Sequence, residues 1–487
     1  MSAQAVVARP AASATGPFDD LRSYIDALRA AGEVIVVDSE VDWDLEIGAF
    51  SRLALERELR PVWFRKIKDY PGHTAFAHLV PNLRCGAIAL GLPADTPVDA
   101  LRREYLRRSQ QQIPPVEVAS GPCQTHVVRG DAVDLTEIPA PMLHDGDGGR
   151  YAGSWDLVVS EDPDTHEVNW GVYRFLLHDR RTLSGVPRYT SGLGTVLREK
   201  HVPRGTPMPI AIVIGADPLS HLAAAGRGPE PGAAGGLRGA PVRVVKCVTN
   251  DLRVPADAQM VIEGVALTDA VAREGPYGEY TAYRTADGDH GIVVRVDAIT
   301  YRDDPIHTVD CTGWRASLSA LGIFGMEIAW RKMLEARGVP VVDVSAPMDF
   351  GMMGVFASVE RGGAEVARAA LDVLEEFALG ASKMFLFDRD VDVRNMDDVM
   401  HAIVMRLHPE RGIHVRSHVG RAKPLQPFLS REERALPVHS ASIVIDCTWP
   451  SDWDRMQDIP AKGFFEDNYS DRTKARVRAL WEELRRS

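Results

Sequence analysis

Apolar residues at helical spacing open the patterned part of the chain. They are Phe18, Leu21, Ile25 and Leu28. This spacing predicts an amphipathic helix that buries one face. Gly32 follows at a position where helices often end in a left-handed residue, and residues 34–37 then predict a buried strand. With a second helix predicted over residues 45–59, the segment to about residue 115 is expected to form a small α/β region.

Short apolar runs separated by turn residues fill the stretch from about residue 120 to residue 310. The predicted strands cover residues 155–160, 168–177, 210–215, 242–248, 259–266 and 291–301. Gly, Pro and Asp residues break the chain between them. This spacing favours an antiparallel sheet or barrel over repeated βαβ units.

The glycine-rich segment at residues 226–241 reads GRGPEPGAAGGLRGAP. Taken by itself, it is typical of a flexible surface loop. It is long and carries little charge, so a close approach of its backbone to a ligand is a second interpretation.

Helical periodicity returns after about residue 310. A helix is predicted over residues 365–379, followed by Gly380 and by a strand over residues 384–387. Asn395 is a candidate N-cap for the next helix. The order helix, strand, helix indicates an α/β domain.

The last segment, residues 470–486, predicts a strongly amphipathic helix with Ser470 as its N-cap. Its apolar side consists of Val477, Leu480, Trp481 and Leu484. Such a side needs a groove, either on the same chain or on a partner subunit.

Composition and charge narrow the class of protein. The 487 residues carry a formal net charge of −12, which argues against a general nucleic-acid binder because such proteins need a basic face. No apolar run reaches the ~20 residues of a membrane helix. Residues 1–16, rich in Ala, Ser and Pro, are predicted to be a disordered tail rather than a secretion signal. The five cysteines never form a CxxC pair, which excludes a disulfide scaffold and a cysteine zinc site. We therefore expect a cytoplasmic, multidomain protein with no nucleic-acid or membrane partner.

Common catalytic and nucleotide-binding signatures are absent from the sequence. It lacks GxxxxGK[ST], HExxH and GxSxG. Residues 191–197, SGLGTVL, lack the third glycine of a dinucleotide-binding loop, and the 15 histidines are too dispersed to define a metal cage by spacing. The candidate chemistry therefore rests on two other stretches.

The first stretch is a predicted strand that reads NWGVYR, from Asn169 to Arg174. Because side chains alternate along a strand, Asn169 and Arg174 are expected on opposite faces unless a bulge intervenes. An arginine among apolar strand residues is suited to bidentate binding of a carboxylate. An ordinary salt bridge explains it equally well.

The second stretch, EGPYGE, places Glu274 and Glu279 at the two ends of a Gly/Pro turn. Such a turn can bring both carboxylates to one side of a cavity. Near an arginine, one carboxylate would stay ionised while the other, poorly solvated, holds a proton and acts as a general acid. Composition alone favours an exposed acidic turn instead.

Together these stretches resemble one family, the UbiD-type decarboxylases that depend on prenylated flavin. The matching segments are residues 20–49, NWGVYRFLLHDRRTLSG (169–185), VVKCVTNDLRVPADAQMVIEG (244–264), EGPYGEY (274–280), and residues 383–393 and 405–412. The motif EGPYGE at its distance after KC-x-TNDL-x-VPA is far more specific than any single motif. The resemblance covers most of the patterned chain.

The resemblance implies a mixed α/β fold with a flavin-binding split β-barrel at its centre. It divides the chain into a disordered tail (1–16), an N-terminal α/β region (17–115), the split β-barrel (116–310), a C-terminal α/β domain (311–465) and a terminal oligomerisation helix (466–487). The protein is accordingly expected to be a homodimer or a larger homo-oligomer.

The resemblance also implies a reaction and its cofactor. The reaction is the reversible, non-oxidative decarboxylation of aromatic, heteroaromatic or α,β-unsaturated carboxylic acids. The cofactor is prenylated FMN, which a separate flavin prenyltransferase supplies. A divalent metal, usually Mn2+, holds the cofactor phosphate, often with K+ nearby.

The family's site residues carry over position by position. The catalytic Arg–Glu–Glu network matches Arg174, Glu274 and Glu279. Asn169 and Glu230 match the metal ligands, which makes the glycine-rich segment a ligand loop. The residues implied in cofactor binding are Asn169, Val172, Tyr173, Arg174, Arg188, Glu230 and Lys383.

Two departures from the family pattern affect the metal and the substrate. Many relatives place a histidine downstream of the asparagine to contact metal or phosphate, whereas this chain has Leu193 or a neighbour there. A backbone carbonyl, water or another side chain then completes the site, or metal binding is weaker. Arg188, Ser191 and the amides of residues 192–194 are candidate phosphate contacts. The segment 311–330 looks unlike the commoner members, so no relative's substrate carries over.

Two other classes of function stay open. An accessory subunit would keep the fold without the cofactor; the missing histidine favours it, and the presence of all three network residues opposes it. An ordinary FMN-binding oxidoreductase also uses a split barrel, but it has no need of EGPYGE beside Arg174.

Overall fold

Four sheets organise the described part of the chain: one in the N-terminal region, a barrel with a small companion sheet in the centre, and one in the C-terminal region. The computed structural model describes residues 16–187, 191–226, 228–284, 289–315, 320–350, 353–376, 381–419, 428–430, 439–454 and 457–486. The predicted disordered tail, except for Gly16, lies outside these residues.

The N-terminal region packs helices around a four-stranded sheet. Its elements are α1 (Leu21–Ala30), β1 (Ile35–Val41), α2 (Glu46–Glu58), β2 (Val62–Ile67), β3 (Thr74–Ala77), α3 (Leu83–Ala89) and α4 (Val98–Ser109). As predicted, the apolar face of α1 is buried, and Gly32 ends it with a left-handed φ of +69°. The fourth strand of the sheet, Ile306–Val309, runs parallel to β3 and returns from the far end of the central region.

Six antiparallel strands close a barrel in the central region. The elements of this region are β4 (Val116–Glu117), β5 (His126–Arg129), β6 (Tyr151–Glu161), β7 (Val168–Leu177), β8 (Thr182–Gly185), α5 (Gly192–Val196), β9 (Met208–Ile214), α6 (Pro218–Ala224), α7 (Glu230–Arg238), β10 (Arg243–Lys246), β11 (Arg253–Pro255), β12 (Met260–Glu274), β13 (Asp289–Tyr301) and β14 (Ile306–Val309). The barrel order is β12–β9–β6–β7–β8–β13, and pairing of β12 with β13 closes it. Strands β4, β10 and β11 form the companion sheet. The barrel that the strand spacing favoured is confirmed.

Strand β12 runs past its predicted end at residue 266 as far as Glu274. Polar residues interrupt the apolar run after Ala266, which is why the pattern ends there. The strand continues because its backbone stays paired with β13, with one register shift between Ala266 and Val271. This extension places Glu274 at the strand end, where the EGPYGE turn begins.

Residues 230–238 of the glycine-rich segment form a helix, so the prediction of a flexible surface loop is wrong for them. Helix α7 packs directly on the chain that follows α4. A Cβ on Gly235 would lie 2.2 Å from the Ile113 carbonyl oxygen, and one on Gly236 would lie 2.0 Å from that of Gln111. The glycines therefore permit a close contact that offsets their low helix propensity.

The C-terminal region is a five-stranded mixed sheet with helices. Its elements are α8 (Gly322–Ala336), β15 (Val341–Ser345), β16 (Gly354–Val359), α9 (Ala364–Glu376), β17 (Lys383–Asp388), α10 (Met396–Arg406), β18 (Ile413–Val419), β19 (His439–Asp446), α11 (Phe465–Asn468) and α12 (Asp471–Arg486). The sheet order is β15–β16–β17–β19–β18. Asn395 caps α10 by accepting the Asp397 N–H at 3.1 Å, as predicted. Residues 377–380, the predicted end of α9, lie outside the described residues.

The cysteines and the helices bear on two exclusions made from composition. All five cysteines are buried and unpaired, so a disulfide scaffold is excluded. Within the described ranges, no helix combines the length and the apolarity that crossing a bilayer requires.

Candidate active site

The site residues of strand β7 lie on its two faces. Trp170 and Val172 pack against the apolar cluster that includes α6 and α7, whereas Tyr173 packs against the barrel interior. The alternation places Asn169 on the side of Tyr173 and Arg174 on the side of Val172. Asn169 and Arg174 therefore project to opposite faces, as predicted.

Arg174 is joined to both glutamates of the EGPYGE turn. Its Nε and Nη2 donate to the two carboxylate oxygens of Glu274 at 2.8 and 2.9 Å, and its Nη1 donates to Oε1 of Glu279. The side chains of Glu274 and Glu279 are 1% and 6% exposed, and that of Arg174 is 21% exposed. The prediction of an exposed acidic turn, which composition favoured, is therefore wrong. The structure brings Arg174, Glu274 and Glu279 together.

Two tyrosines frame this network. The Tyr151 hydroxyl donates to Oε1 of Glu274 at 3.0 Å, and the Tyr277 ring centroid lies 4.7 Å from the guanidinium carbon of Arg174. Burial and the charge of Glu274 raise the pKa of Tyr151, so its hydroxyl stays protonated and donates. Tyr151 is a site residue that the sequence pattern did not predict; its signal was a tyrosine two residues after the glycine-rich turn at residues 146–149.

One cation faces two carboxylates in the network. Burial by itself lowers the pKa of Arg174, but the hydrogen bond to Glu274 and the charges of Glu279 and Glu274 outweigh it and raise that pKa above its ordinary value. Arg174 is therefore a permanent cation. If both carboxylates are ionised, they carry one more charge than the guanidinium balances, and uptake of a proton relieves that excess.

Asn169 and Glu230 lie close to each other at the start of β7, because Glu230 contacts the backbone of the residue after Asn169. Glu230 begins α7, and its Oε2 accepts the Trp170 N–H at 3.2 Å. Tyr173 hydrogen bonds with Asn169. Burial and the charge of Glu230 raise the pKa of the Tyr173 hydroxyl. Burial raises the pKa of Glu230, so a cation bound at this carboxylate would offset the cost of burying its charge.

Helix α5 occupies the stretch in which the resemblance implies a histidine that this chain lacks. Leu193 is fully buried among the apolar side chains of the barrel interior. The Leu193 N–H donates to the Tyr173 hydroxyl at 3.4 Å, and the Gly194 N–H donates to Ser191 Oγ at 3.1 Å. The amides of Leu193 and Gly194 and the hydroxyl of Ser191, which were candidate phosphate contacts, thus form hydrogen bonds within the protein.

Leu193→His is expected to lower the free energy of unfolding by about 2–5 kcal/mol and to add no metal ligand. The imidazole would replace an apolar side chain in the barrel interior. Urea unfolding with and without Mn2+ measures the effect, beside Leu193→Met, which keeps the volume. A variant as stable as the parent with tighter Mn2+ binding would contradict this expectation.

A divalent metal fits the donors at Asn169 and Glu230. Amide and carboxylate oxygens suit Mg2+ or Mn2+, and the buried Glu230 carboxylate gains from a cation. Among the described residues, no group of three or more His, Cys, Asp and Glu side chains forms a metal cage. The other ligands would therefore have to come from the cofactor phosphate, water or backbone.

One implied cofactor contact, Lys383, lies in a different sheet from Asn169 and Tyr173. Lys383 begins β17 in the C-terminal sheet, where its Nζ donates to Ser382 Oγ at 3.2 Å and lies 4.5 Å from the Phe428 ring centroid. Burial lowers the pKa of Lys383. Arg188 lies outside the described residues.

Three family models match the chain along most of its length. They are the N-terminal domain of 3-octaprenyl-4-hydroxybenzoate carboxy-lyase at residues 25–105, its Rift-related domain at 115–314, and its C-terminal domain at 319–447. The chain therefore belongs to the UbiD family of carboxy-lyases, and the family predicted from the sequence is confirmed.

Relatives and solved structures agree with this family. The pyrrole-2-carboxylic acid decarboxylase of Pseudomonas aeruginosa is 32% identical over 490 residues, covering 95% of this chain and 98% of the relative. Ferulic acid decarboxylase 1 of Saccharomyces cerevisiae is 27% identical over 509 residues, with 96% and 98% covered. The closed form of the vanillic acid decarboxylase of Sedimentibacter hydroxybenzoicus matches with a TM-score of 0.82 at 28% identity, covering 96% of this chain and 100% of that one. The UbiD-class enzyme HmfF from Pelotomaculum thermopropionicum, in complex with FMN, shares the fold with a TM-score of 0.78 at 23% identity, with 91% and 97% covered.

Proposed function

We propose that this protein catalyses the reversible, non-oxidative decarboxylation of an aromatic, heteroaromatic or α,β-unsaturated carboxylic acid, with prenylated FMN as its cofactor. The observation that carries the proposal is the buried network in which Glu274 and Glu279 share the Arg174 guanidinium. An accessory subunit has no reaction to catalyse, and a hydride-transferring flavoprotein has no carboxylate to orient. Neither alternative needs this network.

The proposed division of labour follows from the hydrogen bonds of Arg174. Loss of CO2 from an sp2 carbon leaves a vinyl or aryl carbanion, and prenylated FMN supplies the electron sink when bound. Glu274 holds the guanidinium plane through Nε and Nη2, so the Nη1 hydrogen bond is the one that can pass from Glu279 to a substrate carboxylate. Glu279, in its poorly solvated position, delivers a proton to the carbon that lost CO2 and recovers it in the reverse direction.

In this proposal Asn169 and Glu230 would hold a divalent metal, Mn2+, whose charge would offset the repulsion between the cofactor phosphate and Glu230. K+ would be a second cation of the cofactor site. The barrel at residues 116–310 would bind the flavin, with the N-terminal region (17–115) before it and the C-terminal domain (311–465) after it in the chain. The remaining proposed cofactor contacts are Val172, Tyr173, Arg188 and Lys383.

The test is CO2 release by protein co-expressed with a flavin prenyltransferase. The acid panel starts from pyrrole-2-carboxylate, ferulate and vanillate, because relatives of this chain are decarboxylases of these acids, and extends to other heteroaromatic and acrylic acids. The ultraviolet–visible spectrum is recorded on the same sample. Protein without flavin and without CO2 release would indicate an accessory subunit, and unmodified FMN with hydride transfer would indicate an oxidoreductase.

Glu230→Ala is expected to empty the cofactor site, with flavin and Mn2+ content both falling about 10–100-fold, because loss of a ligand leaves metal and phosphate poorly held. Metal analysis and flavin absorbance on freshly purified protein measure both quantities. Glu167→Ala is the matched control, since Glu167 is an exposed carboxylate whose charge raises the pKa of Glu230. Stoichiometric flavin and metal in Glu230→Ala would refute the ligand role.

We also propose that α12 joins copies of this chain into a homo-oligomer in the cytoplasm. Its apolar side is open to solvent in the single chain, with Trp481 62% and Leu484 71% exposed. Ser470 Oγ accepts the Thr473 N–H at 3.3 Å and so caps the helix as predicted. A well-formed helix with an uncovered apolar side is stabilised by burial in a second copy.

Trp481→Glu is expected to shift the protein to a smaller assembly at micromolar concentration, because a charge replaces a large apolar side chain on the proposed contact face. Light scattering coupled to size-exclusion chromatography gives the mass. Ala479→Glu adds the same charge to the opposite side of α12 and should leave the mass unchanged. A parent that is monomeric, or a Trp481→Glu variant of parental mass, would contradict the proposal.

A further inference from the structure

A closed ring of hydrogen bonds holds Gly278, the residue before Glu279. The Gly278 N–H donates to Oδ1 of Asp147 at 3.0 Å, and its carbonyl accepts from the Thr312 hydroxyl. His144 joins these two partners, because its Nδ1 lies 2.9 Å from Oδ2 of Asp147 and its Nε2 lies 2.8 Å from the Thr312 carbonyl oxygen. Both backbone groups of Gly278 are therefore fixed by side chains that His144 ties together.

The loop that carries His144 also packs tightly against the turn. A Cβ on Gly278 would lie 2.6 Å from atoms of the His144 ring, so glycine is required for this contact. Further along the loop, the Gly148 N–H donates to the Pro276 carbonyl at 2.7 Å. The EGPYGE turn is thus held at two points by the loop of residues 144–148.

The partners of His144 require protons on both of its ring nitrogens. The Thr312 carbonyl can only accept a hydrogen bond. Asp147 already accepts the N–H groups of Gly278 and of His144 itself, the latter at 3.2 Å, which is the pattern of a carboxylate. Burial lowers the pKa of His144, but the hydrogen bonds to Asp147 and Cys311 outweigh it and raise that pKa to about 10. The ring is therefore an imidazolium at neutral pH.

We propose that His144, as an imidazolium, is a positioning residue that fixes the Gly278 backbone through Asp147 and Thr312 and thereby sets the place of the Glu279 carboxylate. This inference rests on the proposed function, since the position of Glu279 matters to the reaction only if Glu279 transfers the proton. Glu279 follows Gly278 directly, so a rotation of the peptide between them displaces the carboxylate. A displacement of about 1 Å costs on the order of 10²-fold in rate.

Several titratable groups face His144. They are Asp147 from its own loop, Cys311 from the segment after β14, and Tyr277 from the EGPYGE turn, while Arg284 reaches the same loop through a backbone carbonyl. Burial raises the pKa of the Cys311 thiol and of the Tyr277 hydroxyl, so both are neutral while His144 is charged. Because the folded pKa of His144 is raised, its charge stabilises the fold fully below about pH 6.5, and this stabilisation is lost as the pH rises to about 10.

The kinetic test compares variants of the ring in the cofactor-loaded enzyme. His144→Gln is expected to lower kcat about 10–100-fold with KM and flavin content near the parent's values. Thr312→Val, which removes one hydroxyl at similar shape, should lower kcat in the same direction, and Thr312→Ser should restore it. His166→Gln, at an exposed histidine, is the control. Parental kcat in both His144→Gln and Thr312→Val overturns the inference, whereas a parent that releases no CO2 from the acid panel overturns the proposed function.

The second test is independent of turnover. Nitrogen-15 NMR of the full chain labelled at histidine reports the protonation of each ring nitrogen, and the spectrum of His144→Gln identifies the His144 signals. Both nitrogens are expected to be protonated at about pH 8, where a histidine of ordinary pKa is neutral. A neutral His144 tautomer at that pH overturns the inference.

Discussion

Glu279→Gln is expected to lower turnover by about 10²–10⁴-fold while flavin stays bound. The amide keeps the size of the side chain, and its oxygen can still accept from Nη1 of Arg174. Glu274 keeps its two hydrogen bonds to the guanidinium, so the rest of the network is preserved. Only the capacity to deliver a proton is removed. The measurement is CO2 release at saturating acid, with flavin absorbance on the same sample.

The control for this variant removes an exposed carboxylate outside the Arg174 network. Glu199→Gln makes the same substitution at an exposed position and should leave turnover at the parental value. Hydrogen–deuterium exchange at the product carbon gives a second readout, because it requires proton transfer but no net loss of CO2. Near-parental rates of both processes in Glu279→Gln would show that another group carries the proton.

Short-range pattern predicted much of the candidate site. The alternation of β7 placed Asn169 and Arg174 on opposite faces, and the turn between Glu274 and Glu279 can be read directly from the sequence. Burial of the two carboxylates cannot be read in the same way. Glu274 is buried because β12 continues to the barrel end and meets Arg174, which lies 100 residues earlier in the chain. Nothing in the sequence around the turn indicates that Arg174 is its partner.

The positioning ring around Gly278 lies beyond any local pattern. His144 and Asp147 are close in sequence, but His144 meets Thr312 across 168 residues, and only the tertiary fold brings them together. A single histidine in a glycine-rich loop is more often a surface residue than a positioning group. The sequence therefore provides the residue types, whereas the topology provides the contacts that define their role.

Helix α7 shows that packing can outweigh the helix propensity that a local sequence predicts. Its glycines predict a loop because glycine has a low intrinsic helix propensity. In the fold the same glycines let α7 touch the chain at Gln111 and Ile113, and packing outweighs propensity. This helix brings Glu230 to the Trp170 amide, so the misread segment is also the one that positions the proposed metal ligand.

Arg174→Met is expected to abolish turnover and to lower the free energy of unfolding by about 3–5 kcal/mol, because removing one partner of a buried ion pair leaves uncompensated charge. Glu274 and Glu279 have almost no access to water that would replace the guanidinium. The variant should gain stability relative to the parent as the pH falls, since the carboxylates then take up protons. Urea unfolding of the flavin-free parent and variant at a series of decreasing pH values measures this difference in the free energy of unfolding.

A second substitution separates stability from catalysis. Arg174→Met combined with Glu274→Gln removes one buried charge with its partner, so the double variant should recover much of the lost stability, while turnover stays absent because no group orients the substrate carboxylate. Arg174→Lys keeps the positive charge, but an ammonium cannot hold both oxygens of Glu274 in the plane that Arg174 uses. It should therefore be more stable than Arg174→Met and nearly as inactive. Decarboxylation by the double variant would exclude Arg174 as the carboxylate-binding group, and parental stability in Arg174→Met would mean that the two buried glutamates do not depend on its charge.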